Sequence, residues 1–150
     1  MIRNEGEGSW LDRSPTHLLH RVGQCADDIF DAHITISGLT PRQLAVLIAV
    51  SADEGLSQTG LVERTGVDRS TLANLVGRLK RKGLLERRRT KDDARAYAVT
   101  LTDEGRRVLQ TVQPLAKKVD DLILAALPAK QRENFLSRLR SIVVGLEPAA

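Results

Sequence analysis

Between Arg78 and Lys91 the sequence places eight cations, Arg78, Lys80, Arg81, Lys82, Arg87, Arg88, Arg89 and Lys91, against a single acid, Glu86. Cations at this density repel one another unless an anion faces them. A phosphate backbone is the commonest such anion, because each neutralised phosphate releases a condensed counterion. Leading into this run, and overlapping its first residues, Ser70, Ala73, Asn74, Gly77, Arg78 and Arg81 recur at helical spacing. Short residues let a helix sink into a groove about 12 Å wide, where Asn and Ser can hydrogen-bond base edges. Taken alone that helix also fits an ordinary solvated surface, and the basic stretch after it decides for nucleic acid. The candidate contacts are Arg69, Ser70, Thr71, Asn74, Arg78 and Arg81 on the helix, with Arg87, Arg89, Lys91 and Arg95 beyond it. Ser57 and Gln58 join them, because with Thr59 they supply first-turn N–H groups and hydroxyls suited to a phosphate.

The elements that must position these residues follow from caps and periodicity. Asp68 is an N-cap and Gly83 a helix stop, which predicts a helix over 69–82 with Leu72, Leu75, Val76 and Leu79 inward. Residues 84–89 and 95–101 alternate with a period of two, so they form a hairpin with a polar tip at 90–94. Upstream, Thr40-Pro41 starts a helix over 41–51 with Leu44, Leu47 and Ile48 inward. Ser57 starts another that ends near Thr65, and Gly66 turns the chain into the 69–82 helix. Helix, glycine turn, second helix is the helix-turn-helix order. Ser14-Pro15 opens a first long helix, to His33, whose inward stripe is Leu18, Leu19, Val22, Ala26, Ile29 and Phe30. Thr102 opens another over 103–127 with a heptad-like seam of Val108, Val112, Leu115, Val119, Leu122 and Ala126, and Pro114 should kink it. Pro128 opens the last helix, to 144, with Phe135, Leu136, Leu139, Ile142 and Val143 apolar. A helix of about 25 residues is too long for so small a domain to cover, so this surplus of apolar surface predicts a twin subunit.

The segment K-R-K-G-L-L-E-R at 80–87, D-D-A-R-A at 92–96 and V-T-L-T-D-E-G at 99–105 resembles the MarR family of bacterial winged helix-turn-helix regulators, over about residues 15 to 145. The family's wing pattern, D-x-R followed by L-T-x-x-G, is matched by Asp93, Arg95, Leu101, Thr102 and Gly105. Many relatives carry a second arginine after the wing aspartate. Here that position is Ala94, so minor-groove reading at the tip would rest on Arg95. The resemblance implies a mainly α fold with a small β-hairpin wing, six helices and an intertwined homodimer. Its domains would be a flexible arm (1–13), an N-terminal dimerisation helix (14–36), a winged helix-turn-helix DNA-binding domain (37–101) and C-terminal dimerisation helices (102–150). It also makes the first helix one wall of a ligand cavity. There His17, His20, Arg21 and Gln24 could hold the carboxylate or phosphate of an effector, and H-L-L-H-R-V-G-Q faintly resembles relatives that respond to aromatic acids or their coenzyme A thioesters.

The function expected is a ligand-responsive repressor released from a palindromic operator, acting on double-stranded DNA as a homodimer. The alternatives are a nonspecific nucleic-acid architectural protein and a metal- or redox-sensing regulator. His17-x-x-His20 lacks an assigned third ligand, so no metal site is expected. Cys25 has Asp27 and Asp28 beside it, and carboxylates raise a thiol's pKa, so a structural role is favoured for it. An enzyme is not expected: phosphate loop, C-x-x-C set and serine elbow are all lacking, and no cofactor is implied. The 150 residues, with 41% hydrophobic and 28% charged residues and a net charge of +4, suit one domain or a small domain sharing a core. The charge is uneven, since the first 31 residues hold six acids against three arginines. No apolar run reaches a membrane span of about 18 residues. That and the single cysteine, which excludes an intrachain disulfide, predict a cytoplasmic protein with no membrane partner.

Overall fold

Cap chemistry written into the sequence sets most helix starts in the computed structural model, which describes residues 8–89 and 97–148. Helix α1 (Trp10–Arg13) is a single turn and α2 (Pro15–His33) follows from the Ser14 cap, whose hydroxyl accepts from the His17 N–H at 3.3 Å. A 3₁₀ turn (Ile36–Gly38) leads to α3 (Pro41–Ala52). There Thr40 and Gln43 cap one another reciprocally, each side chain accepting the other's backbone N–H at 3.2 Å. Helices α4 (Gln58–Thr65) and α5 (Arg69–Arg81) are joined through Gly66, whose φ of 69° is the left-handed stop a glycine takes without strain. Strands β1 (Leu85–Arg89) and β2 (Tyr97–Leu101), then α6 (Asp103–Leu124) and α7 (Ala129–Leu146), complete the chain. The architecture is mainly helical with one small antiparallel hairpin, as expected.

Several expectations are corrected. Part of the 1–13 arm is a helical turn, because the Ser9 hydroxyl caps it by accepting from Leu11 N–H; the described residues therefore hold seven α-helices rather than six. The expected inward stripe of α2 is buried only at its end: Phe30 is 6% exposed, while Leu18, Leu19 and Val22 lie open at 44–50%. On α3 the inward set includes Gln43, Val46 and Val50, and Ile48 faces out. In α6 the seam is buried at Val108, Val112 and Val119, with Leu109 added, but Leu122 is exposed. Pro114 lies inside α6, which runs on to Leu124.

The core gathers where α3, α4, α5, the hairpin and α6 meet. Val46, Leu47, Val50, Leu61, Leu72, Val76, Leu79, Leu84 and Val112 are essentially inaccessible. Each contributes about 1.5–3 kcal/mol by burial. By comparison, the ion pair from Arg106 to Glu54 (2.7 Å) is half-exposed and is worth about 0–1 kcal/mol. The hairpin pairs Leu85 with Leu101, Arg87 with Val99 and Arg89 with Tyr97. Its root is tied to the helices by Leu56, which bridges β2 as a one-residue third strand. Val99 N–H donates to the Leu56 carbonyl at 3.0 Å and Gly55 N–H to the Val99 carbonyl at 3.1 Å.

The L-T-x-x-G pattern has a steric explanation here. Thr102 N–H donates to the Leu84 carbonyl at 3.1 Å, its hydroxyl donates to the Gly83 carbonyl and also accepts from Gly105 N–H at 3.0 Å. That stitches the first turn of α6 onto the start of the hairpin. A Cβ at residue 105 would collide with the Leu84 carbonyl oxygen, a backbone atom that cannot swing away. Gly105→Ala is expected to lower unfolding free energy by about 1–3 kcal/mol, the usual cost of overpacking, read in a denaturant titration. An unchanged midpoint would show that the junction is looser than this geometry.

Asp68 caps α5 by accepting from Thr71 N–H and from the Ser70 hydroxyl, both at 2.9 Å. These bonds to Thr71 and Ser70 favour the carboxylate and hold its pKa down to about 2. The folded value is depressed, so the cap's contribution is fully present above the ordinary carboxylate pKa of about 4 and is lost as pH falls through about 2. Amide exchange in the first turn of α5 should accelerate over that window in the native protein. In an Asp68→Asn variant that acid-dependent step should disappear.

Candidate nucleic-acid interface and adjoining pocket

Helix α5 turns Leu72, Val76 and Leu79 into the core, and that fixes what remains outside. Ser70, Asn74, Arg78 and Arg81 are exposed on the opposite face, and Arg69 is exposed at the first position of the helix. Thr71 is half-buried, with its backbone N–H committed to Asp68. Arg69 reaches back, its Nη2 donating to the Thr59 hydroxyl at 3.1 Å, and so braces the start of α5 against the start of α4. Ser57 stands at the head of α4 with its hydroxyl accepting from Gly60 N–H at 3.1 Å, and Gln58 is half-buried beside it. The outward face is therefore short and polar at the beginning and cationic toward the end.

The hairpin sorts its arginines by strand alternation. Arg87 and Arg89 share the face of Leu85, and the Arg89 guanidinium lies 5.8 Å from the centre of the Tyr97 ring. Arg88 falls on the other face and is paired with Glu86 at 2.7 Å. Lys91, Asp93 and Arg95, with the tip to which they belong, lie outside the described residues. Of the eight cations, Lys82 is also committed within the chain: its ammonium donates to the Ser37 and Gly38 carbonyls and to Gln43 Oε1. Nothing in the spacing of the basic run distinguishes Lys82 from its neighbours, since its partners lie about forty residues upstream.

A second feature sits against α2. A cavity of about 480 Å³ opens between α2 and the end of α6, with Leu18, Val22, Ile29, Leu122 and Ile123 as apolar wall and Asp12, His17, Arg21 and Cys25 as polar edge. His17 and Arg21 line it. His20 and Gln24 are not among its lining residues, because the arc of α2 that faces α6 is centred on positions 18, 22, 25 and 29. The two histidines accordingly do not share the cavity. Asp12 was not anticipated, since it enters on the α1 turn. Cys25 is free and exposed. Beside this cavity an apolar groove of about 380 Å³ runs between α2 and α7, lined by Leu18, Leu19, Val22, Phe135, Leu139 and Ile142. Helix α7 has no buried residue. Among the described residues no helix is long and apolar enough to cross a membrane.

These features agree with known proteins. Residues 37–96 match the MarR family model. The chain is 31% identical over 140 residues to the HTH-type transcriptional repressor NicR of Pseudomonas putida, covering 89% of each chain. Its fold matches PcaV, a transcriptional regulator of Streptomyces coelicolor solved with its natural ligand, with a TM-score of 0.87 at 34% identity over 94% of this chain and 99% of that one. It also matches the transcriptional repressor CouR bound to a 23-mer DNA duplex, with a TM-score of 0.83 at 28% identity, covering 93% and 99%. By this identity, coverage and shared fold, the chain belongs to the MarR family of DNA-binding transcriptional regulators.

Proposed function

We propose that this protein is a homodimeric repressor that places α5 of each subunit in a major groove and each hairpin in the flanking minor groove, and that a small aromatic acid or its thioester releases it. The observation that carries the DNA reading is the outward face of α5, where Ser70 and Asn74 precede Arg78 and Arg81 while the opposite stripe is buried. Short residues admit the helix to the groove, Asn hydrogen-bonds a base edge, and the arginines at the far end neutralise phosphates. Arg87 and Arg89 extend the cationic surface along the hairpin, with Arg95 as the proposed minor-groove contact.

The dimer reading rests on uncovered apolar surface. Leu18, Leu19 and Val22 on α2 and Ile142, Val143 and Val144 on α7 are each at least 44% exposed. Soluble proteins seldom leave so much contiguous apolar surface to water, and helices from a second copy would cover it. The effector reading rests on the cavity beside α2. A carboxylate fits the Arg21 guanidinium, which can bind it through two parallel hydrogen bonds, while Leu18, Val22 and Leu122 suit a flat apolar body. NicR is a repressor and PcaV is solved with a ligand, which supports both halves of the reading. In this reading the protein acts by binding rather than catalysis, in the cytoplasm where its DNA lies.

Binding to the DNA directly upstream of the protein's own gene, compared with an unrelated duplex at two salt concentrations, tests the proposal. A specific regulator should prefer the upstream duplex by roughly a thousandfold or more. Equal affinity for both would instead favour an architectural protein. Asn74→Ala should reduce that discrimination by about 1–3 kcal/mol, whereas Arg87→Ala should weaken binding to both duplexes alike and flatten the salt dependence. If Asn74→Ala leaves discrimination intact, the base-reading role is wrong. For the pocket, Arg21→Ala should raise the benzoate-type acid concentration needed for DNA release about tenfold or more without altering DNA affinity in its absence, the loss of a charge-assisted bidentate pair being worth that much.

A further inference from the structure

Lys82 follows the last residue of α5, at the edge of the basic run, yet its ammonium is turned inward along the chain. It donates to the Ser37 carbonyl at 2.9 Å, the Gly38 carbonyl at 3.0 Å and Gln43 Oε1 at 3.1 Å. A lysine ammonium has three N–H donors, so these acceptors use all of them. The receiving turn is shaped for the purpose. Ser37 (φ 57°) and Gly38 (φ 58°) are consecutive residues in the left-handed region, and their carbonyls converge on one cation. Ser37 is the one non-glycine residue with positive φ among the described residues. Strain of that kind persists where the surroundings impose it. The third acceptor is equally fixed, because Gln43 is 3% exposed and its amide oxygen is also held by Thr40 N–H in the reciprocal cap.

The position of this clamp gives it a consequence. The Ile36–Gly38 turn is the link between α2, which walls the cavity, and α3, which opens the helix-turn-helix. Lys82 is the C-cap of α5, where a cation also complements the partial negative charge of the helix end. One ammonium therefore joins the far end of the groove helix to the linker on the cavity side. We propose that Lys82 is a positioning residue for DNA recognition: seated in the Ser37–Gly38 carbonyl cradle, it fixes the end of α5 relative to α2, so that a shift of α2 is carried to the recognition helix rather than absorbed by the linker. This rests on the reading of α5 as the DNA-contacting helix. It removes Lys82 from the set of phosphate-binding cations.

The test compares wild type with Lys82→Met, which keeps the apolar stem, and Lys82→Arg, which keeps the donors. Amide exchange of residues 36–43 is measured on the free full-length protein, and binding to the duplex upstream of its own gene is measured across a salt series. Lys82→Met should raise exchange in 36–43 and lower affinity roughly two- to thirty-fold, with the slope of log affinity against log salt unchanged. Lys82→Arg should recover part of both losses. A slope shallower by about 0.9, the change expected when one phosphate is no longer neutralised, with exchange unchanged, would make Lys82 a DNA-binding cation and overturn the proposal. Unchanged affinity in Lys82→Met would overturn it as well. The exchange experiment contains no DNA, so failure of the clamp remains distinct from a wild-type protein that binds no duplex, which would overturn the DNA reading itself.

Discussion

The burial of one stripe on α5 is the constraint on which the rest depends. Leu72, Val76 and Leu79 are at most 1% exposed, locked among α3, α4 and the root of the hairpin. Three such side chains contribute several kcal/mol together, a large share of the marginal stability of a domain this size. A helix held so firmly on one side has its other side fixed as well. Ser70, Asn74, Arg78 and Arg81 are presented outward because rotating them inward would expose the leucines and bury charge.

The same economy of placement governs the hairpin. Two five-residue strands are marginal in isolation. Here they gain a third hydrogen-bonded neighbour at Leu56 and a junction in which Thr102 and Gly105 close over Leu84. The L-T-x-x-G sequence is thus a joint before it is a signature: the threonine satisfies both the hairpin start and the helix start, and the glycine leaves room for a backbone carbonyl. Alternation then sends Arg87 and Arg89 to one face and leaves Arg88 with Glu86 on the other.

At the opposite end of the chain the physical logic is left open. Helix α7 has no fully buried residue, and α2 leaves three of its leading apolar residues exposed. An amphipathic helix whose apolar face is only partly covered leaves that face open to further packing. The cavity beside α2 adjoins that uncovered ground, so whatever covers the groove also shapes the cavity. An effector site and a subunit interface would then share α2 as a common wall.

Much of this was readable from sequence because the signals are local. Ser14-Pro15, Thr40-Pro41, Ser57, Asp68 and Thr102 satisfy the first turns that follow them, and a cap acts within three residues of itself. The 3.6-residue period of Leu72, Val76 and Leu79 and the two-residue period of the strands are local too. What the sequence could not settle is which apolar faces find a partner within the same chain. Leu18, Leu19 and Val22 have the same pattern as a buried stripe, yet the single chain offers them only a groove. Likewise Lys82 and Arg88 read as free cations in a row of eight. Only tertiary structure brings the Ser37 and Gly38 carbonyls to Lys82, because hydrogen bonds across forty residues leave no periodic trace in the chain, whereas the Arg88–Glu86 pair follows from the alternation of a single strand once β1 is formed.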